Sequence, residues 1–458
     1  MPTVTSNRHI TEGVIWKQIL LFFFPILLGS FFQQLYNTVD AIIVGRALGT
    51  EALASVGASS PILNLVNGFF LGIASGATVI LSQAYGAGDR DRVNKTLHTA
   101  MALALMLGVV ITVVGILMAP QVLALIGTPE NCMENAVTYC RIYFGGAAAS
   151  MVYNMGAGIL RAMGDSRRPM FFLLVCCLVN IVGDLLFIYV FQMGIAGAAL
   201  ATILSQLISA LLVLTVLMKQ PGEGKLELKQ IRFHKNLLFS MLRIGIPAGI
   251  QLMMFDFSNL IVQSSINSFG DTTIAAWIAY GKTDAWTWQI SGALGVSVTT
   301  FVGQNFGAQK YDRVRRSVWV CMGLGVAMVG TLSILEFTFR EFLLGIFTTD
   351  SEVIRIGAEM MMYIVLWNTI FIPIEVLAGT MRGTGYALPP TVIMCVCVCL
   401  FRILWILLAV EKWHTIFALC LAYPISWVLC VLTFAVFYIK GSWLHGRIKA
   451  LGMPSAIQ

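Results

Sequence analysis

The sequence predicts an all-α, polytopic membrane protein with twelve transmembrane helices in two six-helix lobes, related by a pseudo-two-fold axis near the membrane normal. Three observations predict it. Of 458 residues, 58% are hydrophobic and only 11% charged, with a mean hydropathy of +0.84; soluble domains carry about 25% charged residues. Runs of roughly 20 apolar residues recur along the chain. Finally, the motifs of the first half return in the second.

The apolar runs begin near Trp16, Leu53, Leu97, Val137, Met170 and Ala196 in the first half. In the second they begin near Leu238, Thr273, Val318, Val353, Thr391 and His414. Each is expected to be a helix, because in lipid only helices and closed barrels satisfy their own backbone. The runs are too long and too continuously apolar for the roughly 10-residue alternating strands of a barrel. The first span does not read as a cleaved signal, since its run is too long and no small-residue cleavage site follows. The longest polar connector runs from Lys219 to Asn236. These limits give a first lobe at 1–218, a cytoplasmic connector at 219–236, a second lobe at 237–440 and a cytoplasmic tail at 441–458.

The repeat holds one offset. SQAYGAGDRDRV, from Ser82, answers GQNFGAQKYDRV, from Gly303: Gln83 pairs with Gln304, Gly86 with Gly307 and Arg92 with Arg313, each 221 residues apart. AGILRAMGDSRRP answers AGTMRGTGYALPP at the same offset, pairing Arg161 with Arg382 and Gly164 with Gly385. Six spans per half is an even number, so both halves enter from the same side, and a cleft is expected between them. That plan suits a secondary transporter that alternates its access better than a channel or an enzyme.

The net charge of +7 sorts by connector and does not point to nucleic acid. Arg8, Lys17, Arg90, Arg92, Lys95, Arg161, Arg167, Arg168, the basic residues between Lys219 and Arg243, those between Lys310 and Arg316, Arg382, Lys440, Arg447 and Lys449 all fall on one side. Arg46, Arg340, Arg355 and Lys412 fall on the other. The positive-inside bias then places both termini in the cytoplasm. The ten cysteines mostly lie in apolar spans and read as small core residues, not as a disulfide framework or metal site. No P-loop, HExxH or GxSxG motif is present, which argues against ATP as the energy source and against an intramembrane enzyme.

Polar residues inside the spans carry the functional reading. In FQQLYNTVDAIIVG, Gln33, Asn37 and Asp40 recur at i, i+4 and i+7, with Tyr36 four residues before Asp40. The fifth span places Asn180 and Asp184 one turn apart, and the sixth does the same with Thr202 and Gln206. An intramembrane Asp costs about 2.5–3.5 kcal/mol. Burial and a like-charged neighbour both favour the neutral carboxyl. If these faces converge, the pair is expected to hold a proton or a monovalent cation; the alternative is that both acids sit near span ends and touch water. In the second half, Asp256, Asn259 and Gln263 form a stripe, Glu375 stands at the repeat position of Asn154, Arg402 lies within the eleventh span, and Lys282 flanks Asp284. Asp256 and Glu375 are candidates for attracting a cationic ligand or, equally, for structural hydrogen bonding.

FFQQLYNTVDAIIVGRALG, the two connector motifs, RAMGD with RGTG, and GIAGAALAT together resemble the multidrug and toxic compound extrusion (MATE) family, from about Gly13 to Lys440. The resemblance implies a bacterial cell-membrane protein, active as a monomer, that exports small organic, often cationic, compounds against inward H⁺ or Na⁺, with no cofactor and no enzymatic activity. By motif position it implies an ion site at Asp40, Asn180, Asp184 and Thr202. Tyr36, Asn37 and Asn154 match its first-lobe cavity, to which the stripe adds Gln33, while Asp256 and Glu375 match only approximately. A flippase for a lipid-linked saccharide is the alternative; it would favour a basic cavity, whereas embedded carboxylates here outnumber embedded cations.

Overall fold

A computed structural model describes residues 10–440 together with Leu444 and Ile448. Arg8, Arg447, Lys449 and most of the expected tail lie outside the described residues. The described chain is helical, without strands. Twelve spans follow in order: α1 (Ile15–Leu48), α2 (Thr50–Gly86), α3 (Arg90–Leu125), α4 (Glu130–Gly145 and Ala147–Ala162), α5 (Arg167–Val190) and α6 (Gly194–Lys219). The second half supplies α7 (Lys235–Asn267), α8 (Asp271–Gly307), α9 (Tyr311–Thr338), α10 (Ser351–Gly383), α11 (Leu388–Trp413) and α12 (Ile416–Lys440). A short helix, Arg340–Gly345, follows α9.

Among the described residues, ten of these are each long and apolar enough to cross a membrane. The other two fall short for visible reasons, one by a break and one by composition. α4 breaks at Gly146, where any Cβ would meet the Ile203 side chain at 2.5 Å, so α6 passes too close for a regular turn with a side chain. α8 carries Lys282 and Asp284 within its apolar run.

Backbone conformation repeats along with the motifs. Gly49, between α1 and α2, has φ +87°, and Gly270, between α7 and α8, has φ +92°. Gly164 and Gly385, which close α4 and α10, have φ +92° and +82°. These are left-handed turns that a Cβ opposes, so the same glycine is required at the same place in each half.

The described chain packs as two compact units. One comprises Leu21–Gly249; the other comprises Ile10–Leu20 and the chain from Ile250 onward. α1 and α7 are therefore each divided between units.

In the first unit, the opening half of α7 lies against α2 through glycines. A Cβ on Gly72 would stand 2.6 Å from the Ala248 carbonyl carbon, and one on Gly245 would stand 2.7 Å from Ile73 Cα. Small residues let two membrane helices approach backbone to backbone, gaining dispersion where lipid offers no hydrophobic drive. The polar connector is strapped to α3: Arg90 pairs with Glu223 at 2.8 Å, and the Glu227 N–H donates to His98 Nε2 at 3.0 Å. His98 Nδ1 lies 2.8 Å from the Asn94 carbonyl, so Nδ1 must carry the proton and Nε2 must accept. Replacing His98 by Phe removes that acceptor, at about 1 kcal/mol. Hydrogen exchange at Glu227 is then expected to quicken roughly fivefold, with α3 itself unchanged.

In the second unit, Arg313 at the start of α9 gathers the segment before α1. It donates to Gly13 O at 2.8 Å, Ile10 O at 3.2 Å and Glu12 O at 3.3 Å, while its Nε binds Asn305 Oδ1 at 3.0 Å. Lys310 adds a bond to Thr11 O at 3.0 Å. The basic residues of this repeated connector thus cap loose carbonyls at a helix entrance.

Candidate functional site

α1, α5 and α6 bring the first-half polar residues together inside the first unit. Asp40 is 8% exposed, and Asp184 and Asn180 are fully buried. The Asp40 and Asp184 side chains meet. Among the described residues neither Asp184 oxygen has a hydrogen-bond donor, and Asp40 Oδ1 has none either. Beside them, Asn180 Nδ2 donates to Thr202 Oγ1 at 3.5 Å, and Thr202 Oγ1 donates to Ala198 O at 3.2 Å. Asn180 Oδ1 is left without a donor. Periodicity explains the convergence: Asn180 and Asp184 lie one turn apart on α5, facing the small-residue side of α6.

This set of atoms is short of positive charge. Two bare carboxylates at about 4 Å repel by about 4 kcal/mol at an effective dielectric of about 20. Buried oxygens without donors add desolvation cost. A proton shared between the acids, or one small cation held by their oxygens with Asn180 Oδ1 and Thr202 Oγ1, would remove both penalties. Thr202 also lines, with Gln206, Asn67, Tyr143 and Ser150, a cavity of about 10 Å³, room for about one water.

Tyrosines surround the pair. Tyr36, one turn before Asp40, is buried, and Tyr139 on α4 lies close to both Asp40 and Asp184. Tyr139 stacks with Tyr143 at 6.4 Å between ring centroids, and Tyr143 accepts from Asn67 Nδ2 at 2.9 Å. Sequence reasoning missed Tyr139 and Tyr143. It started the fourth span near Val137, which left them at a span end; the helix in fact begins at Glu130. Their i, i+4 spacing was the available signal.

The expected stripe on α1 divides by burial. Tyr36 and Asp40 face inward, while Gln33 and Asn37 are exposed. Asn154 is half-buried and donates to Ser150 Oγ at 3.3 Å.

In the second unit the polar residues are largely paired. Glu375 Oε1 receives Arg382 Nη2 at 3.1 Å, with side chains 16% and 12% exposed. Arg402 stacks 4.2 Å above the Tyr423 ring and reaches Asn259 Oδ1 at 3.4 Å. Asp256 is half-buried. Lys282 does not neutralise Asp284: two residues apart on a helix they point to different faces, with Lys282 exposed and Asp284 buried. Cys132 and Cys140 are free thiols, like every other cysteine.

Comparisons with known proteins agree with this architecture. The MatE family model matches twice, over residues 25–186 and 247–408. A probable multidrug resistance protein of Bacillus subtilis, YoeA, is 31% identical over 400 residues, 86% of each chain. The multidrug export protein MepA of Staphylococcus aureus is 22% identical over 91% of this chain and 95% of its own. Among solved structures, the outward-facing conformation of a multidrug resistance MATE family transporter superposes with a TM-score of 0.89 at 20% identity, covering 98% of this chain and 100% of that one. A transporter of the MOP superfamily from Pyrococcus furiosus superposes with a TM-score of 0.88 at 20% identity, covering 99% of this chain and 100% of that one.

Proposed function

This chain belongs to the multidrug and toxic compound extrusion family, and on that premise we propose that it is a secondary active exporter of small organic, often cationic, compounds. Inward movement of H⁺ or Na⁺ drives the export. The observation that carries the reading is the contact between Asp40 and Asp184 in a setting without donors. Such a pair changes charge when it takes up a positive ion, so ion occupancy alters the electrostatic cost of every arrangement of α1, α5 and α6. A conformational equilibrium shifts only as far as a ligand binds the two states differently, and a buried acid pair offers that difference.

The ion site comprises Asp40, Asn180, Asp184 and Thr202. The candidate substrate contacts are Gln33, Tyr36, Asn37 and Asn154 in the first unit and, separately, Asp256 and Glu375 in the second. Glu375 attracts a cationic compound only after release from Arg382, so Asp256 is the freer acid in that set. The guanidinium of Arg402 is buried over Tyr423 and bonds Asn259, and embedded carboxylates outnumber such cations, which supports an organic cation over a phosphate-bearing lipid. The protein works as a monomer in the bacterial cell membrane without a cofactor. Its basic connectors, Arg90 to Lys95 and Lys310 to Arg316 among them, face the cytoplasm by the positive-inside bias.

The test is transport by purified protein in liposomes. A pH gradient and a Na⁺ gradient are imposed separately while efflux of a fluorescent organic cation is followed. One of the two is expected to drive accumulation against the substrate gradient. Movement that only ever runs down the substrate gradient would remove the antiport reading.

A further inference from the structure

The second unit holds a buried acid that the first site does not use. Glu336, near the end of α9, is 3% exposed, and neither carboxylate oxygen has a hydrogen-bond donor among the described residues. It lies against Thr287 on α8 and within electrostatic reach of Asp284 on the same helix. Asp284 is in the opposite condition. It is 5% exposed and accepts three bonds, from Tyr280 Oη at 3.2 Å, Trp288 Nε1 at 2.7 Å and Asn368 Nδ2 at 2.6 Å. These three donors satisfy the Asp284 oxygens. Asn368 turns its amide nitrogen to Asp284 and so leaves Oδ1 without a donor, while Thr287 Oγ1 stands against Glu336 at a geometry short of a full hydrogen bond.

Oxygen atoms from α8, α9 and α10 therefore collect around two acids, while the three well-formed bonds all go to one of them. The neighbouring cations are engaged elsewhere. Arg402 stacks on Tyr423, Arg382 holds Glu375, Arg340 in the short helix after α9 donates to Phe337 O, and Arg355 on α10 holds Glu352 and Glu359. Lys282 is exposed. Other titratable groups around the pair are the phenols of Tyr280 and Tyr423, and neither supplies positive charge. An ionised carboxylate this buried is untenable alone.

We propose that Glu336, with Asp284, Thr287 and Asn368, forms a second site for a compact positive charge, either a proton or Na⁺. It is not the repeat image of the first site. The counterparts of Asp284 and Glu336 at the 221-residue offset are Leu63 and Gly115. Nor does it suit a transition metal, since no cluster of three or more His, Cys, Asp or Glu stands among the described residues. The site stands on the geometry of the second unit alone and does not require Asp40 and Asp184 to be the coupling pair.

Binding and labelling test it without transport. Full-length protein in lipid nanodiscs is treated with a hydrophobic carbodiimide, which attacks protonated carboxyls, and the adducts are located by mass spectrometry. Glu336 is expected to be labelled in wild-type protein and in the Asp40→Asn/Asp184→Asn double variant alike. Labelling that Na⁺ does not affect assigns a proton. Labelling that Na⁺ suppresses assigns Na⁺, and radioactive-sodium binding should then fall by one ion per protein in Glu336→Gln and weaken in Thr287→Val. No adduct at Glu336 at any pH, with sodium stoichiometry unchanged in Glu336→Gln, overturns the proposal. The wild-type labelling keeps the test valid should Glu336→Gln fail to fold.

Discussion

In liposomes, Asp184→Asn is expected to lower gradient-driven efflux at least tenfold while the purified protein melts at a higher temperature than wild type. Both signs follow from the buried contact. Asparagine is nearly isosteric with aspartic acid but cannot gain or lose a proton, so the driving ion no longer changes the charge of the site. Removing a carboxylate that lacks donors also removes a desolvation penalty and a like-charge repulsion, which relieves the fold. A residue needed only for packing would behave oppositely and lose stability together with activity. Asp40→Asn should show the same pair of changes in smaller measure for stability, because Asp40 retains some exposure whereas Asp184 retains none. The double variant should be no worse in coupling than the single ones, since groups acting as one unit fail together. Efflux measured under each gradient and a thermal unfolding midpoint for each variant check the claim. Undiminished gradient-driven efflux in both single variants would take these acids out of the coupling step.

Periodicity made much of this site legible in the sequence. Asn180 and Asp184 share a face of α5 because they are one turn apart, and Thr202 meets them because GIAGAALAT leaves α6 little side-chain bulk on that side. The twelve spans were legible for the same kind of reason: lipid demands long apolar runs, and two repeated glycine turns punctuate them. What local spacing could not convey was partner choice across the fold. Gln33 and Asn37 keep the spacing of Asp40 but lie on the exposed side, since a stripe does not say which of its edges is covered. Spacing left Glu375 open between attracting a cation and bonding within the fold, and Arg382, two turns away, decides for the second. Glu336 sits two residues from a helix end in SILEFTF, where a carboxylate ordinarily reaches water. Its burial depends on α8, which no pattern in α9 records.

Glycine substitutions on α2 should divide sharply by position, with opposite signs. Gly57 has nothing within 4 Å of where a Cβ would stand. Gly57→Ala should therefore stabilise the protein by about 0.5–1 kcal/mol, the ordinary gain from removing backbone freedom in a helix. Gly72 lies four turns farther along the same helix, against α7. Its Cβ would overlap the backbone of Gly249 and stand 2.6 Å from the Ala248 carbonyl carbon. Gly249 in turn would place a Cβ 2.6 Å from Phe69 O. Most of these obstacles are backbone atoms, so no side chain can rotate away; the two helices must part or bend. Overpacking of this kind typically costs about 1–3 kcal/mol, and here it acts on a contact whose whole gain is close dispersion. Gly72→Ala should lower the unfolding midpoint and raise hydrogen exchange in residues 241–249, while Gly57→Ala raises the midpoint and leaves those residues alone. Equal effects at the two positions would mean that α2 tolerates bulk along its length, and the glycine seam would then have no part in holding the opening half of α7.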